Sequence, residues 1–241
     1  MSTASFPPRA RSAAGLVLGI LSLASTAGAY AQSPPQSDEG FYVGVGFGPS
    51  KFDQSKADFD AGVSGTFTNA GFAVSNPASA LGTSSTELQG LFGYRFSSYY
   101  GFELGFVDVG KLSYSATMTL SGGGLPSPSP GSISGEVSSK GPLLSLIGTI
   151  PLQKRWEIFG RLGLFYADTT IDLDAKISGV AGSSSVSARS TDWALGIGGA
   201  LNLNRRFSIR LEYQKFKDVG DPDQTGESDV DVIDLGLLFR L

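Results

Sequence analysis

The sequence predicts an all-β protein, an eight-stranded antiparallel up-and-down transmembrane β-barrel, and three observations lead there. Apolar and polar residues alternate with period two through nearly every ordered stretch, which is how strands with two unlike faces read. The connections alternate short and long, as they do in a barrel whose rims face different compartments. The face opposite the apolar one mixes glycine with arginine and glutamate. Glycine on a water-facing strand position costs stability and gains nothing, whereas in a narrow lumen it leaves room for a long side chain from across the bore.

Residues 1–31 read as a secretory signal peptide. Arg9 and Arg11 supply the positive start, Ala13 to Ala24 the apolar run, and Ala29-Tyr30-Ala31 the cleavage signal, so processing is expected between Ala31 and Gln32. That run is about a dozen residues, short of the roughly 20 a spanning helix needs. Residues 32–39 form a short mature segment ahead of a barrel at 40–241. The 18 basic residues include the two leader arginines, which leaves 16 against 22 acids, a mature net charge of −6. That balance argues against nucleic acid as a partner, since phosphate binding needs clustered Lys and Arg. The chain has no cysteine and no histidine. It therefore lacks disulfides, the Ser-His-Asp triad and the commonest metal ligand, and no enzyme activity, metal or cofactor is expected.

Eight strands are expected, at roughly 40–52, 85–97, 99–115, 138–152, 156–175, 188–203, 207–219 and 230–241. Short turns fall at 97–98, 153–155 and 204–206, and long Gly/Ser/Pro/Asp-rich loops at 53–84, 116–137, 176–187 and 220–229. The second long loop contains "SGGGLPSPSPGS", read as unpacked. Sixteen strands would leave about 13 residues for each strand and its loop, with 9–11 needed for the strand alone, so eight fits better. A barrel that narrow is filled by its own side chains.

The fifth strand shows the two faces. Trp156, Ile158, Leu162, Leu164 and Tyr166 share one parity; Glu157, Phe159, Arg161, Gly163 and Phe165 share the other. From Trp156 to Tyr166, at a strand rise near 3.3 Å and a 40° tilt, is about 25 Å, the height of an outer-membrane apolar band. Trp156, Tyr166, Trp193, Tyr213 and Phe207 are the expected membrane-interface aromatics. A soluble sandwich also has one apolar face; the charges on the opposite face favour the membrane. Glu87, Glu103, Glu212 and Asp234 are expected to pair there with Arg95, Arg161, Arg210 and Arg240, because unpaired buried charges are costly.

Three motifs carry little. "GVGFGPSK" at 44–51 lacks phosphate-loop spacing. "DPDQTGESDVD" places Asp221, Asp223, Thr225, Gly226 and Asp229 at calcium-loop positions but puts Val232 where a bidentate Glu belongs. It is read as a solvated acidic loop, with weak calcium or lipid-bridging cation binding at the cell surface as the alternative. "ELGFVDVG" and "EYQKFKDVG" echo each other with spacing one residue apart, which suggests a bulge in one of them.

The stretches "GFYVGVGFGPSKF", "GYRFSSYYGFELGFVDVGK", "GRLGLFYAD" and "LGIGGALNLNRRFSIRLEYQKFKDVGD" give the chain a resemblance to the OmpA-type outer-membrane β-barrel family over most of residues 40–241. The closing "DLGLLFRL" resembles that family's C-terminal assembly signal, with Asp234, Gly236, Phe239 and Leu241 in the signal positions and Leu in place of the usual terminal Phe. The resemblance implies a Gram-negative outer-membrane location, outer-membrane lipids and the barrel-insertion machinery as partners, and a barrel-only member without a peptidoglycan-binding domain. It also implies a structural or interaction role in envelope integrity, with an unidentified extracellular ligand at the loops. The alternative is a narrow porin-like channel for small solutes or ions.

Overall fold

The computed structural model describes residues 39–125, 128–152 and 155–241. The expected signal peptide, its Ala31–Gln32 cleavage point and residues 32–38 lie outside the described residues. Nine strands and one helix follow in order among the described residues. They are β1 (Gly40–Phe52), α1 (Lys56–Asn69), β2 (Phe72–Gly82), β3 (Ser84–Arg95), β4 (Tyr100–Gly122), β5 (Ser129–Pro151), β6 (Trp156–Ile177), β7 (Val180–Asn202), β8 (Phe207–Val219) and β9 (Ser228–Arg240).

Eight of the strands close a ring. β1 pairs with β3, each strand from β3 to β9 then pairs with the next, and β9 returns to β1, every pairing antiparallel. The closing register runs from Tyr42↔Arg240 to Phe52↔Val230. Leu241 N–H donates to Phe41 O at 3.0 Å, so backbone pairing continues to the last residue. Closure leaves the spanning part with no open sheet edge, as a bilayer requires of strands.

The alternation sorts side chains as the sequence predicts. Phe41, Val43, Val45 and Phe47 face outward on β1; Trp156, Ile158, Leu162, Leu164 and Tyr166 do so on β6, and Phe207, Ile209, Leu211 and Tyr213 on β8, all exposed. Trp193 lies outward on β7, opposite Lys217 of β8. With Leu88 and Phe92 of β3, Leu104 and Phe106 of β4, Leu144 and Leu146 of β5, and Leu235 and Leu237 of β9, every strand of the ring presents exposed apolar residues outward.

Above the band the structure departs from the expected loops. Residues 53–84 hold α1 and β2. β2 pairs with the upper part of β4, from Phe72↔Gly122 to Gly82↔Ser113, where β3 has ended. The expected loops at 116–137 and 176–187 are largely strand: β4, β5 and β7 each run 23 residues and β6 runs 22. The cause lies in "LSYSATMTL". Leu112, Tyr114, Ala116, Met118 and Leu120 are buried, and the Ser and Thr between them face out. Ser and Thr pair well across a ladder, so polar composition does not end a strand whose alternation persists. Phe67, Phe59 and Val63 of α1 pack against this inward stripe, with Phe59 stacked on Tyr114 at 5.3 Å. Even "SPGS" at 129–132, within the stretch read as unpacked, enters β5, with Ser129 buried. In the fourth connection, residues 220–227 stay outside the strands.

Both "DVG" echoes carry a register shift, between Asp108 and Lys111 and between Phe216 and Val219, where the sequence suggested a bulge in only one. Gly110 and Asp218 take positive φ there, of 87° and 54°.

Candidate functional site: the barrel lumen

One strand indexes the lumen from end to end. The inward residues of β8 are Ser208, Arg210, Glu212, Gln214 and Phe216, and each belongs to a different level or its border. At the short-turn mouth Arg95 grips Glu157 with two nitrogens, at 3.2 and 2.8 Å. Asn202 donates to the same carboxylate at 2.8 Å and accepts from Ser208 Oγ at 2.6 Å and Arg240 Nη2 at 3.0 Å. A vestibule opens here, lined by Arg95, Glu157, Asn202, Ser208 and Arg240 and reaching in to Glu103 and Arg210.

The next level is a closed ion-pair network. Arg161 Nε meets Glu212 Oε1 at 2.6 Å, and its Nη2 meets Glu103 Oε2 at 2.7 Å and Glu212 Oε2 at 3.0 Å. Its Nη1 donates to Ser145 Oγ at 3.0 Å, so each of the three guanidinium nitrogens makes at least one hydrogen bond. Arg210 Nη1 holds the other oxygen of Glu103 at 2.6 Å, and its Nε stands 3.5 Å from Glu212. Tyr42 OH donates to Glu103 at 2.8 Å, and Phe159 lies under the Arg210 guanidinium at 5.2 Å. All four charged side chains are at most 4% exposed. Two cations and two anions with bidentate contacts meet the condition under which burial of ions is tolerated. Glycine makes the space: a Cβ on Gly196 would collide with Glu212 Oε1 and press on Arg161.

Glu87 and Asp234 do not join this network. Both are fully buried, and no arginine reaches either carboxylate; their oxygens have no hydrogen-bond partner. The structure brings Glu103, Arg161, Arg210 and Glu212 together, while Arg95 and Arg240 turn to Glu157. Glu157 and Tyr42 are the partners that the sequence reading did not assign. Glu157 shares the inward parity of Arg161 on the same strand, which was the available signal.

Beyond the polar levels an apolar plug fills the bore. Phe165 and Phe216 meet edge to face at 5.0 Å, packed with Val107, Leu143, Val230 and Val232, and these six are at most 1% exposed.

The acidic loop does not gather around a point. Asp221 Oδ1 accepts the backbone N–H groups of Asp223 and Gln224, and Asp229 is paired with Lys215 and Lys217. Among the described residues no group of three acidic residues is arranged to hold a metal. Beyond the Trp193 edge of the band, burial pushes the Asp192 carboxyl up to about 6, against the opposing hydrogen bond from Ser190 at 2.6 Å.

Glu103, Arg161, Arg210 and Glu212 thus close the middle of the bore, with Glu87 and Asp234 above them. Gly236 opposes Arg210 within β9, Phe239 packs on Phe207 outside at 5.1 Å, and Leu241 ends the seam. No curated protein matches the chain. Among solved structures it is similar to OprG of Pseudomonas aeruginosa at 14% identity, covering 84% of this chain and 98% of that one with a TM-score of 0.45. It is also similar to Neisserial surface protein A at 11% identity, covering 83% and 97% with a TM-score of 0.42. A third similar structure is Ail, the attachment invasion locus protein of Yersinia pestis, at 16% identity, 84% and 99% coverage and a TM-score of 0.35. Residues 36–241 match the family described as OmpA-like transmembrane domain, and the chain belongs to that family of outer-membrane β-barrels.

Proposed function

We propose that this protein is a non-conducting structural and interaction barrel, contributing to envelope integrity from its lipid-facing band and to surface recognition through its tall extracellular hairpins. The observation that carries this reading is the double obstruction of the lumen. The buried Glu103–Arg161–Arg210–Glu212 network fills the bore at one level, and the Phe165–Phe216 plug fills it at another. No catalysis is assigned. The leader is cleaved after Ala31, and the insertion machinery reads Asp234, Gly236, Phe239 and Leu241 on the closing strand. Trp156, Tyr166, Trp193, Tyr213 and Phe207 seat the band at the two membrane interfaces, where amphipathic rings are favoured. The extracellular ligand belongs to the surface formed by β2, α1 and the upper ends of β4 to β7.

The periplasmic vestibule supports a second reading, a narrow channel gated by the ion pairs, because it reaches in as far as Glu103 and Arg210. Single-channel recording of the refolded protein in a planar bilayer separates the two. Silence from folded wild type, and from Arg161→Ala, agrees with the structural reading. Stable openings that grow in Arg161→Ala refute it and make the ion pairs a gate.

A further inference from the structure

A thin carboxylate layer lies between the ion-pair network and the apolar plug, and neither of its neighbours explains it. Glu87 of β3 stands opposite Gly48 of β1, and a Cβ on Gly48 would press against the β9 backbone at Ile233 and Asp234. Asp234 in turn lies over Gly46, where a Cβ would collide with Oδ2. Two glycines of one strand thus bring a glutamate from one side against an aspartate from the other, and the two carboxyl groups are adjacent. Gln89 abuts Asp234. Gln214 is the inward residue of β8 next above Glu212, which opposes Asp234, and Ser50 is the inward residue of β1 next above Gly48.

All five side chains are at most 3% exposed. Both oxygens of Glu87 and of Asp234, both polar atoms of Gln214, Gln89 Nε2 and Ser50 Oγ have no hydrogen-bond partner. The lumen arginines make their direct contacts elsewhere, with Glu103 and Glu212 below, and act on the layer only at a distance. Two carboxylates buried without a cation are costly, because each loses its hydration and gains nothing in return. Gln214 and Ser50 add neutral oxygens, and a half-turn of the Gln89 carboxamide presents a third at the same shape. Hard oxygens in this number, with two negative charges, are what a calcium-sized divalent ion binds; its flexible coordination suits an irregular cage better than magnesium's strict octahedron does.

We propose that Glu87 and Asp234, with oxygens from Gln214 and Ser50, hold a single hard divalent cation of the calcium class inside the lumen. The site straddles the seam where β1 meets β9, with Glu87 and Ser50 on one side and Asp234 and Gln214 on the other. It is complete only when the barrel closes, so the ion enters during folding, is then sealed by Phe216 above and Arg161 below, and staples the closure.

The test is to refold wild type from urea into detergent in calcium or in chelator, confirm folding by heat-modifiable gel migration, desalt, and measure retained calcium by elemental analysis. Wild type folded in calcium is expected to retain roughly one ion per barrel and to unfold at a higher temperature than wild type folded in chelator. Glu87→Gln and Asp234→Asn each abolish retention and the temperature difference, while Asp221→Asn/Asp223→Asn in the acidic loop keeps both. The neutral substitutions remove buried charge, so they should fold; should either not, the wild-type comparison stands alone. Wild type that retains no calcium and melts identically in both buffers overturns the proposal in favour of a proton shared by the two carboxyls. Retention that survives Glu87→Gln/Asp234→Asn overturns it in favour of a site elsewhere.

Discussion

Arg161→Met is the sharpest perturbation of the lumen. It deletes a guanidinium that makes four hydrogen bonds to Glu212, Glu103 and Ser145, and it keeps most of the side-chain volume. Glu103 retains Arg210 at 2.6 Å and Tyr42 at 2.8 Å. Glu212 retains only Arg210 Nε at 3.5 Å, beyond good hydrogen-bond geometry, and it is fully buried. Breaking one partner of a buried pair costs about 3–5 kcal/mol, because the other charge is left uncompensated in a low dielectric. At about 1.4 kcal/mol per tenfold, that is roughly two to nearly four powers of ten in the unfolding equilibrium. The assay is reversible urea unfolding in phospholipid vesicles, followed by tryptophan emission. The chain has two tryptophans, Trp156 and Trp193, and both face outward, so their emission reports transfer from lipid to water. Arg161→Met/Glu212→Gln restores neutrality around the surviving Glu103–Arg210 pair and should recover more than half of the loss. A single-variant loss below about 1 kcal/mol, within the range of a surface pair, would refute the argument. So would a double variant whose loss equals the sum of the two singles, since contacting residues should couple.

Three further outcomes follow from other parts of the barrel. Phe165→Ala should cost about 3–5 kcal/mol in the same assay, since the ring is fully buried against Phe216; single-channel recordings should stay silent, because the ion pairs below are untouched. Gly196→Ala should cost about 1–3 kcal/mol by pushing Glu212 off Arg161, and a cost near zero would mean the network relaxes freely. Asp192 binds its proton more tightly when folded, so its contribution to stability is fully present below the ordinary carboxyl value of 3.8 and is lost as pH rises through about 6. Reversible urea unfolding should therefore show a component of stability that falls as pH rises from about 4 to about 6, and Asp192→Asn should remove that pH dependence. A dependence centred near pH 4 would contradict the burial argument.

How much of this was legible depended on which physical signal a residue carries. The strand faces were legible because period two is geometric: Trp156 to Tyr166 on β6 and Phe207 to Tyr213 on β8 face outward as their parity requires. The long upper hairpins were misread because Ser, Thr and Gly were taken as loop composition. The alternation in "LSYSATMTL" was the better signal, and it needed α1 as a partner to bury it. The helix itself was missed for a related reason. "KADFDAGVSGTFTN" is weakly patterned, and only the extended sheet gives Phe59, Val63 and Phe67 a surface to cover.

By itself, then, the sequence determined parity, ring size and the inventory of lumen charges, since each follows from local periodicity and chain length. Only the tertiary structure decided which charges meet. Pairing depends on the stagger between strands far apart in the chain, and that stagger carries Arg161 to Glu103 and Glu212, Arg95 to Glu157, and leaves Glu87 beside Asp234 across two glycines of β1. Composition made a neutral lumen look attainable; geometry concentrated its arginines low in the bore and its unpaired carboxylates above them, at the seam where the barrel closes.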